Sequence, residues 1–219
     1  MKKYLNILKK TQLFKGLDEE EIASLFSCLE AKIRSYKKGE YILRQGEVTD
    51  SLAVIVAGSV HIQTDDYWGN RSIINSLSET DMFAEAYAGM DGGRMSSDAV
   101  AREESTVIFF NLNKMLTVCS AACRFHSLVI QNLFFAVSEK NRRLVGKLGH
   151  ISKRTTREKL MSYLSEQAKN TKGTHFKIPF NRQQLADFLS VDRSAMSNEL
   201  GKLRDEGLIE FHKNEFRLL

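Results

Sequence analysis

Four polar side chains near the C-terminus have the types and the spacing needed to read DNA bases. Arg193, Ser194, Ser197 and Asn198 follow the spacing i, i+1, i+4, i+5, which puts them on one face of a helix near its N-terminus. An arginine guanidinium matches O6 and N7 of guanine, and an asparagine amide matches N6 and N7 of adenine. We therefore predict base contacts in a major groove; the alternative is an ordinary solvated helix face.

Three cations in the same part of the chain are candidates for phosphate contacts. Arg182, Lys202 and Lys213 would set the register of the protein on a duplex without reading its sequence. Residues 150–219 hold 13 lysines and arginines against 9 acids, whereas residues 1–149 hold 19 against 18. A basic terminal part on a nearly neutral body indicates a polyanionic partner.

A short helix is predicted to begin just after Asn181. Asn181 is a favourable N-cap residue, and Gln184 three positions later completes a capping box. Phe180 and Leu185 occupy the two positions of a hydrophobic staple. The predicted buried stripe of this helix is Leu185, Ala186 and Leu189.

A second helix is predicted after a turn of about three residues. Asp192 is its N-cap residue, and Val191 with Met196 repeats the staple. The helix should stop at Gly207, because glycine commonly follows a helix C-terminus. Its predicted buried residues are Met196, Leu200 and Leu203. Two such helices predict a helix-turn-helix.

Residues 208–211 and 215–218 alternate between apolar and polar side chains around Lys213 and Asn214. This pattern is typical of a β-hairpin. A hairpin directly after a helix-turn-helix predicts a winged helix.

The region from residue 31 to residue 111 reads as short strands separated by turn residues, which predicts a β-sandwich or roll. The predicted strands are Ala31–Tyr36, Tyr41–Leu43, Ser51–Ala57, Ser59–Thr64, Ser72–Leu77 and Val107–Asn111. Together with the helical segments on either side, the sequence predicts an α+β protein.

A long helix is predicted from about residue 116 to residue 152, with apolar residues at heptad spacing. These residues are Ile130, Leu133, Val137, Leu144, Leu148 and Ile151. The helix either lies on the sheet domain or pairs with a second copy in a parallel coiled coil. The seven-residue recurrence favours the dimer, with Ile130, Leu133, Val137, Leu144 and Leu148 at its interface. Gly146 and Gly149 mark a predicted hinge near the end of this helix.

Several of these motifs resemble the Crp/Fnr family of bacterial transcription regulators. The helix-turn-helix part of the resemblance lies in Gln184–Leu189, Arg193–Ser197, Leu200 and Gly207–Ile209. The N-terminal part lies in Leu13–Leu17, which is similar to the opening helix of the family, and in Lys38–Glu47 and Val54–Val60, which are similar to its β-roll.

The resemblance implies three parts: a jelly-roll-like β-roll sensor domain over residues 1–115, a dimerisation helix and hinge over 116–152, and a winged helix over 153–219. It further implies a homodimer that binds a palindromic operator in double-stranded DNA, contacts RNA polymerase and responds to a small-molecule effector. Asn198 stands where several family members have arginine, and Glu199 where many have an apolar residue. Base preference therefore cannot be copied from those members.

The predicted effector contacts are Glu85, Arg94, Ser96 and Ser97. Cyclic-nucleotide-binding relatives hold the phosphate with a Gly-Glu pair and a later Arg-Ser or Arg-Thr pair. This chain keeps Glu85 but has Ala84 before it, and Ser96-Ser97 takes the place of the second pair. Arg94 lies two positions away. The sequence thus disfavours a cyclic nucleotide, and the effector and any cofactor are unknown; Glu85 is equally well explained as a structural residue.

Other effectors of the family need ligands that the sequence supplies poorly. An iron–sulfur cluster takes about four cysteines, and the chain has Cys28, Cys119 and Cys123. Three cysteines also do not form a disulfide framework, which indicates a reducing cytosol. His61 and His126 are the candidate axial ligands for a haem.

Two other functional classes are weighed against a regulator. A cupin-like metal-dependent enzyme needs clustered histidines on the roll, and only His61 lies there. A non-DNA-binding interaction protein would not need the helix caps and the polar helix face. No nucleophile–base constellation stands out, which predicts a non-enzyme. No apolar run approaches the roughly 18–20 residues that cross a bilayer, so we expect a cytoplasmic protein without membrane contact.

Overall fold

The computed structural model describes residues 2–65, 67–68, 71–90, 92–117 and 124–219. The chain divides into two compact units, Met1–Val137 and Ser138–Leu219. The first contains the β-sheets and the second the helix-turn-helix, so the predicted α+β class is confirmed. Among the described residues no helix has the length and the apolar composition needed to cross a membrane.

The described helices are α1 (Lys2–Leu8), α2 (Glu19–Cys28), α3 (Glu85–Ala88), α4 (Leu112–Leu116), α5 (Arg124–Ile151), α6 (Thr156–Thr171), α7 (Arg182–Leu189) and α8 (Arg193–Asp205). The described strands are β1 (Lys32–Tyr36), β2 (Tyr41–Leu43), β3 (Ser51–Ala57), β4 (Ser59–Asp65), β5 (Arg71–Ser78), β6 (Met82–Phe83), β7 (Asp98–Ala101), β8 (Ser105–Asn111), β9 (His175–Lys177), β10 (Ile209–His212) and β11 (Glu215–Leu218).

Two antiparallel four-stranded sheets form the roll of the first unit, in the orders β1-β8-β3-β6 and β2-β7-β4-β5. A cluster that includes Ile55, Ala99 and Val107 fills the space between them. The other face of β3 and β8 packs against helices, with Val54 and Ile108 in a second cluster. Strand β3 is therefore buried on both faces, which explains its unbroken apolar sequence.

Two details of the N-terminal unit differ from the sequence predictions. Residues 13–16 form turns rather than a helix; Gly16 has a φ of 84°, in the left-handed region that glycine tolerates. The long helix does not include Leu116 and Thr117, because α4 ends at Leu116 and Thr117 has extended backbone angles. Helix α5 is first described at Arg124.

Helix α5 changes its surroundings along its length. Val129 and Leu133 are 0% and 7% exposed, in the core beneath β3 and β8. Further along, Val137, Leu144 and Leu148 are 43%, 61% and 59% exposed. The interface predicted for Leu133 is therefore corrected, since this side chain already packs within its own chain.

The second unit is a helical domain closed by the three-stranded antiparallel sheet β10-β11-β9. One core cluster joins its helices to the sheet through residues such as Leu164, Leu185, Leu200 and Phe216. The two predicted wing strands are confirmed as β10 and β11. The third strand, β9, was not predicted, because three residues carry no measurable alternation.

Candidate DNA-binding interface and sensor site

Side-chain caps fix the start of each helix of the helix-turn-helix. Asn181 Oδ1 accepts from the Gln184 N–H at 2.9 Å, and Gln184 Oε1 accepts from the Asn181 N–H at 2.8 Å. Asp192 Oδ1 accepts from the Ala195 N–H at 2.8 Å. The predicted capping box and the second N-cap are thus confirmed, and both helices start where the sequence indicates.

The turn between α7 and α8 is held from two directions. Ser190 adopts a left-handed conformation with φ of 51°, and the following Val191 N–H donates to the Ala186 carbonyl at 3.0 Å. Lys159 of α6 donates to the Ser190 carbonyl at 3.2 Å. These contacts set the crossing of the two helices and hence the direction in which α8 presents its outer face.

The outer face of α8 carries the predicted base-reading residues, while Met196, Leu200 and Leu203 on the inner face are buried. Arg193, Ser194, Ser197 and Asn198 are exposed on the N-terminal half of the helix. For Arg193, Ser194 and Asn198, no side-chain hydrogen bond or ion pair is made to any group in the described part of the chain. Their donors and acceptors are available to a ligand.

Ser197 differs from its neighbours on this face. Its Oγ donates to the Arg193 carbonyl at 2.9 Å. The hydroxyl proton is thereby used, and the oxygen is left as an acceptor. Facing DNA, it would suit the amino donor of cytosine N4 or adenine N6.

A cluster of ions secures the C-terminal half of α8. Arg157 of α6 contacts the carboxylate of Glu206 and lies 3.4 Å from that of Glu199. These hydrogen bonds raise the pKa of Arg157 and lower the pKa of Glu206. Lys202 also lies 3.4 Å from Glu199, whose side chain is mostly buried. Glu199, which departs from the apolar residue of many family members, therefore links α6 to α8.

The predicted phosphate contacts have unequal surroundings. The Arg182 guanidinium lies over the rings of Phe211 and Phe216, 4.8 Å and 5.2 Å from their centroids, and burial lowers its pKa. It joins α7 to the wing. Lys202 and Lys213 are exposed, and Lys213 stands at the wing turn with φ of 52°.

The first unit brings part of the predicted sensor site together around α3. The Tyr87 hydroxyl of this helix lies 2.5 Å from Ser96 Oγ. Gly93 has no room for a side chain, since a Cβ there would lie 1.9 Å from the Tyr87 carbonyl oxygen. Segment 93–97 thus packs tightly on the helix that starts with Glu85. Ser97 is buried and Glu85 is half-buried.

Arg94 is directed to another part of the roll. Its Nη1 donates to the Gly46 carbonyl at 3.0 Å. Asp98 braces the same turn by accepting from the Gln45 N–H at 2.7 Å. Met95, directly before Ser96, is buried in the core of the roll. Arg94 is the one arginine among the described residues of segment 84–97. Its guanidinium holds the turn at residues 44–47.

The other sensor candidates have local explanations or lie outside the described residues. His126 is buried, and its Nε2 lies 3.0 Å from the carbonyl oxygens of both Lys114 and Met115, which ties α5 to α4. Burial and the nearby Arg102 lower the pKa of His61. Cys28 is exposed, and Cys119 and Cys123 lie outside the described residues. In the described ranges no three His, Cys, Asp or Glu side chains gather as metal ligands would.

A β-roll followed by a long helix and a winged helix-turn-helix is the architecture of a transcription regulator. The model of the cyclic nucleotide-binding domain matches residues 33–122, and that of the Crp-like helix-turn-helix domain matches residues 158–219. Together the two models cover most of the chain, which therefore has the domain composition of a Crp/Fnr-type transcription regulator.

Solved structures with the same architecture extend over nearly the whole chain. CprK complexed with OCPA is 15% identical with a TM-score of 0.66, covering 91% of both chains. The c-di-GMP-responsive regulator CLP of Xanthomonas campestris is 14% identical with a TM-score of 0.59, covering 92% of this chain and 99% of CLP. The catabolite activator protein of Thermus thermophilus is 23% identical with a TM-score of 0.51, covering 95% and 94%. At these identities the likeness establishes the fold.

Curated relatives match over less than half of the chain. Human cGMP-dependent protein kinase 2 is 30% identical over 101 residues, which are 46% of this chain and 13% of the kinase. The mouse kinase matches to the same extent. The matched region is thus a small part of these relatives.

Proposed function

We propose that two copies of this chain bind a palindromic DNA operator through α8 and regulate transcription in response to an effector in the β-roll. The observation that carries the proposal is the outer face of α8, where Arg193, Ser194 and Asn198 are exposed and make no side-chain bond within the described part of the chain. The N-terminal residues of a recognition helix are those that reach base edges. Lys202 and Lys213 are the proposed phosphate contacts.

The proposed dimer forms along α5. Its exposed apolar residues are Phe134, Phe135, Val137, Leu144, Val145 and Leu148. Exposed large apolar side chains in such number along one helix indicate an interaction site, and a second copy of the same helix is its proposed occupant. The predicted interface accordingly keeps Val137, Leu144 and Leu148, retains the half-buried Ile130 at its edge, and loses Leu133.

The proposed effector is a small molecule other than a cyclic nucleotide, held near Glu85, Ser96 and Ser97. Two observations support this choice: Arg94 is engaged with the Gly46 carbonyl, and the residue before Ser96 is the buried Met95. A phosphate would lack its cation there. We further propose that the protein acts in the cytoplasm, contacts RNA polymerase and has no enzymatic activity.

Selection from a pool of random duplexes tests the proposed function. The purified full-length protein should enrich an inverted repeat whose half-sites lie about 34 Å apart, one turn of B-DNA. Selections with and without a small-molecule extract of cells would reveal an effector requirement, and native mass spectrometry would detect a co-purified effector. If no sequence is enriched under either condition, the chain is not a sequence-specific regulator.

A further inference from the structure

A buried histidine joins the end of α5 to α6. His150 is 6% exposed. Its Nδ1 lies 2.8 Å from Ser162 Oγ, and its Nε2 lies 2.5 Å from Glu166 Oε2. Both ring nitrogens therefore have a partner on α6, and the imidazole is held in one orientation.

The same turn of α5 also touches the helix-turn-helix. The His150 ring meets Tyr163 of α6 edge to face at 5.7 Å and lies 6.4 Å from the Phe188 ring of α7. Lys147, one turn earlier, places its ammonium 5.4 Å from the centroid of Phe188. Residues 147–150 are thus packed against two helices of the winged domain.

This join lies where the sequence predicted a hinge. Gly146 and Gly149 are both inside α5, which continues to Ile151. The unit Ser138–Leu219 includes the last half of α5 together with the winged helix. The exposed residues Leu144 and Leu148 and the recognition helix α8 therefore belong to one compact body.

We propose that His150 is a positioning residue, which fixes the winged helix on α5 so that the two α8 helices of a dimer match the spacing of the operator half-sites. The inference rests on the proposed function. Its physical basis is the path from the exposed face of α5 through His150 to α6, and from α6 through Arg157 to Glu199 of α8 and to Glu206 at the C-terminal cap of α8. Without the contact between His150 and α6, α8 could take a range of positions relative to the dimer axis.

The test compares duplexes that carry the selected operator, the same half-sites one base pair closer or further apart, and one half-site alone. Wild-type protein should prefer the native spacing. His150→Ala should lose about tenfold in affinity for the native operator, since it removes the contacts of the imidazole with Ser162 and Glu166 and a tenfold change corresponds to about 1.4 kcal/mol, the upper range for one hydrogen bond. Its affinity for the single half-site should stay the same, and its preference among the three spacings should flatten.

Three further variants sharpen the result. His150→Gln, whose amide can replace the Nε2 hydrogen bond to Glu166, should recover part of the spacing preference. Ser162→Ala should weaken it mildly, and Ser165→Ala, an exposed serine on the same helix, should leave it unchanged. If His150→Ala does not fold, the spacing preference is measured for Ser162→Ala and Glu166→Gln instead.

The outcomes separate the two proposals. A His150→Ala protein that keeps the wild-type spacing preference, or that loses affinity equally for all duplexes and the half-site, overturns the positioning role. Wild-type protein that prefers no palindrome at any spacing overturns the proposed function instead.

Discussion

Arg193 is the residue on which base selectivity should depend most. Its guanidinium is exposed, whereas the cations further along α8 are paired: Lys202 with Glu199 and Arg204 with Asp205. A planar guanidinium offers two parallel donors to the two acceptors of guanine, a match that an ammonium lacks. Arg193 thus combines availability with the right geometry.

Replacement of Arg193 should reduce discrimination between operator and unrelated DNA. Arg193→Ala is expected to lose about 1–3 kcal/mol of selective binding free energy. Arg193→Lys should keep the affinity for unrelated DNA but not the selectivity, because lysine keeps the positive charge and lacks the two parallel N–H donors of the guanidinium. Titrations against operator and scrambled duplexes measure both, with Arg204→Ala as the control. An unchanged specificity profile would remove Arg193 from the reading face.

Ala84 occupies a backbone conformation that suits glycine. Its φ is 66°, directly before α3, where cyclic-nucleotide-binding relatives have the glycine of a Gly-Glu pair. Ala84→Gly should raise the free energy of unfolding by about 1 kcal/mol, because a left-handed conformation is costly for a residue with a Cβ. Ala86→Gly, inside the same helix, should lower it by about 0.5–1 kcal/mol. Denaturant titrations measure both, and equal signs for the two variants would contradict this explanation.

The two halves of helix α5 have different structural roles. Its first half is buried through Val129 and Leu133 in the cluster between the helices and the outer face of β3 and β8, and its second half exposes Leu144, Val145 and Leu148. Leu144→Asp should yield monomers in sedimentation velocity, because a carboxylate cannot be buried at an apolar interface without a partner. Arg143→Asp, at an exposed position on another face of the same helix, should leave the dimer intact. Dimers that persist in Leu144→Asp would place the interface elsewhere.

The contact between α6 and α8 should depend on pH. Arg157 lowers the pKa of Glu206 below its usual value, so the ion pair stabilises the fold above the ordinary glutamate pKa of about 4.3 and is lost as pH falls through the lowered value. Glu206→Gln should therefore be less stable than wild type near neutral pH, and the difference should vanish in acid. Denaturant unfolding across this range tests it. In an Arg157→Ala background, Glu206→Gln should change the stability little at any pH. If Glu206→Gln still destabilises the otherwise wild-type protein in acid, the ion pair is not the cause.

The charge of the whole molecule is unevenly distributed, and this should govern binding to any DNA. Of the net charge of +5, residues 150–219 supply most, with 13 cations against 9 acids. Phosphate contacts release counterions, so affinity falls with salt in proportion to their number. Lys213→Ala should reduce the slope of log affinity against log salt by about 1 for operator and unrelated DNA alike. Lys37→Ala, in the sensor unit, should not change it. An unchanged slope for Lys213→Ala would exclude the wing turn from the phosphate contacts.

Much of the winged helix follows from short-range sequence. The N-caps Asn181 and Asp192 act on backbone groups three residues away, and Gly207 has the positive φ of 74° expected after a helix end. Such features need no distant partner, so residue types at fixed offsets suffice. Most strands of the roll were also predictable, because alternating or continuous apolar runs mark a buried face wherever the sheet lies. The very short strands β6 and β9 carry too few residues for a pattern.

Long-range contacts determined the roles of particular side chains. The heptad of α5 identified an apolar face but not the residues that cover it. Leu133 is buried in a cluster with residues of α1, α2, β3 and β8, whereas Leu144 is exposed. Arg94 and Arg182 look like anion-binding cations in the sequence, yet they bind the Gly46 carbonyl and the rings of the wing. A charge interacts with whatever the fold brings near it, and sequence position does not specify that neighbour. His150 acquires its partners on α6 and α7 for the same reason.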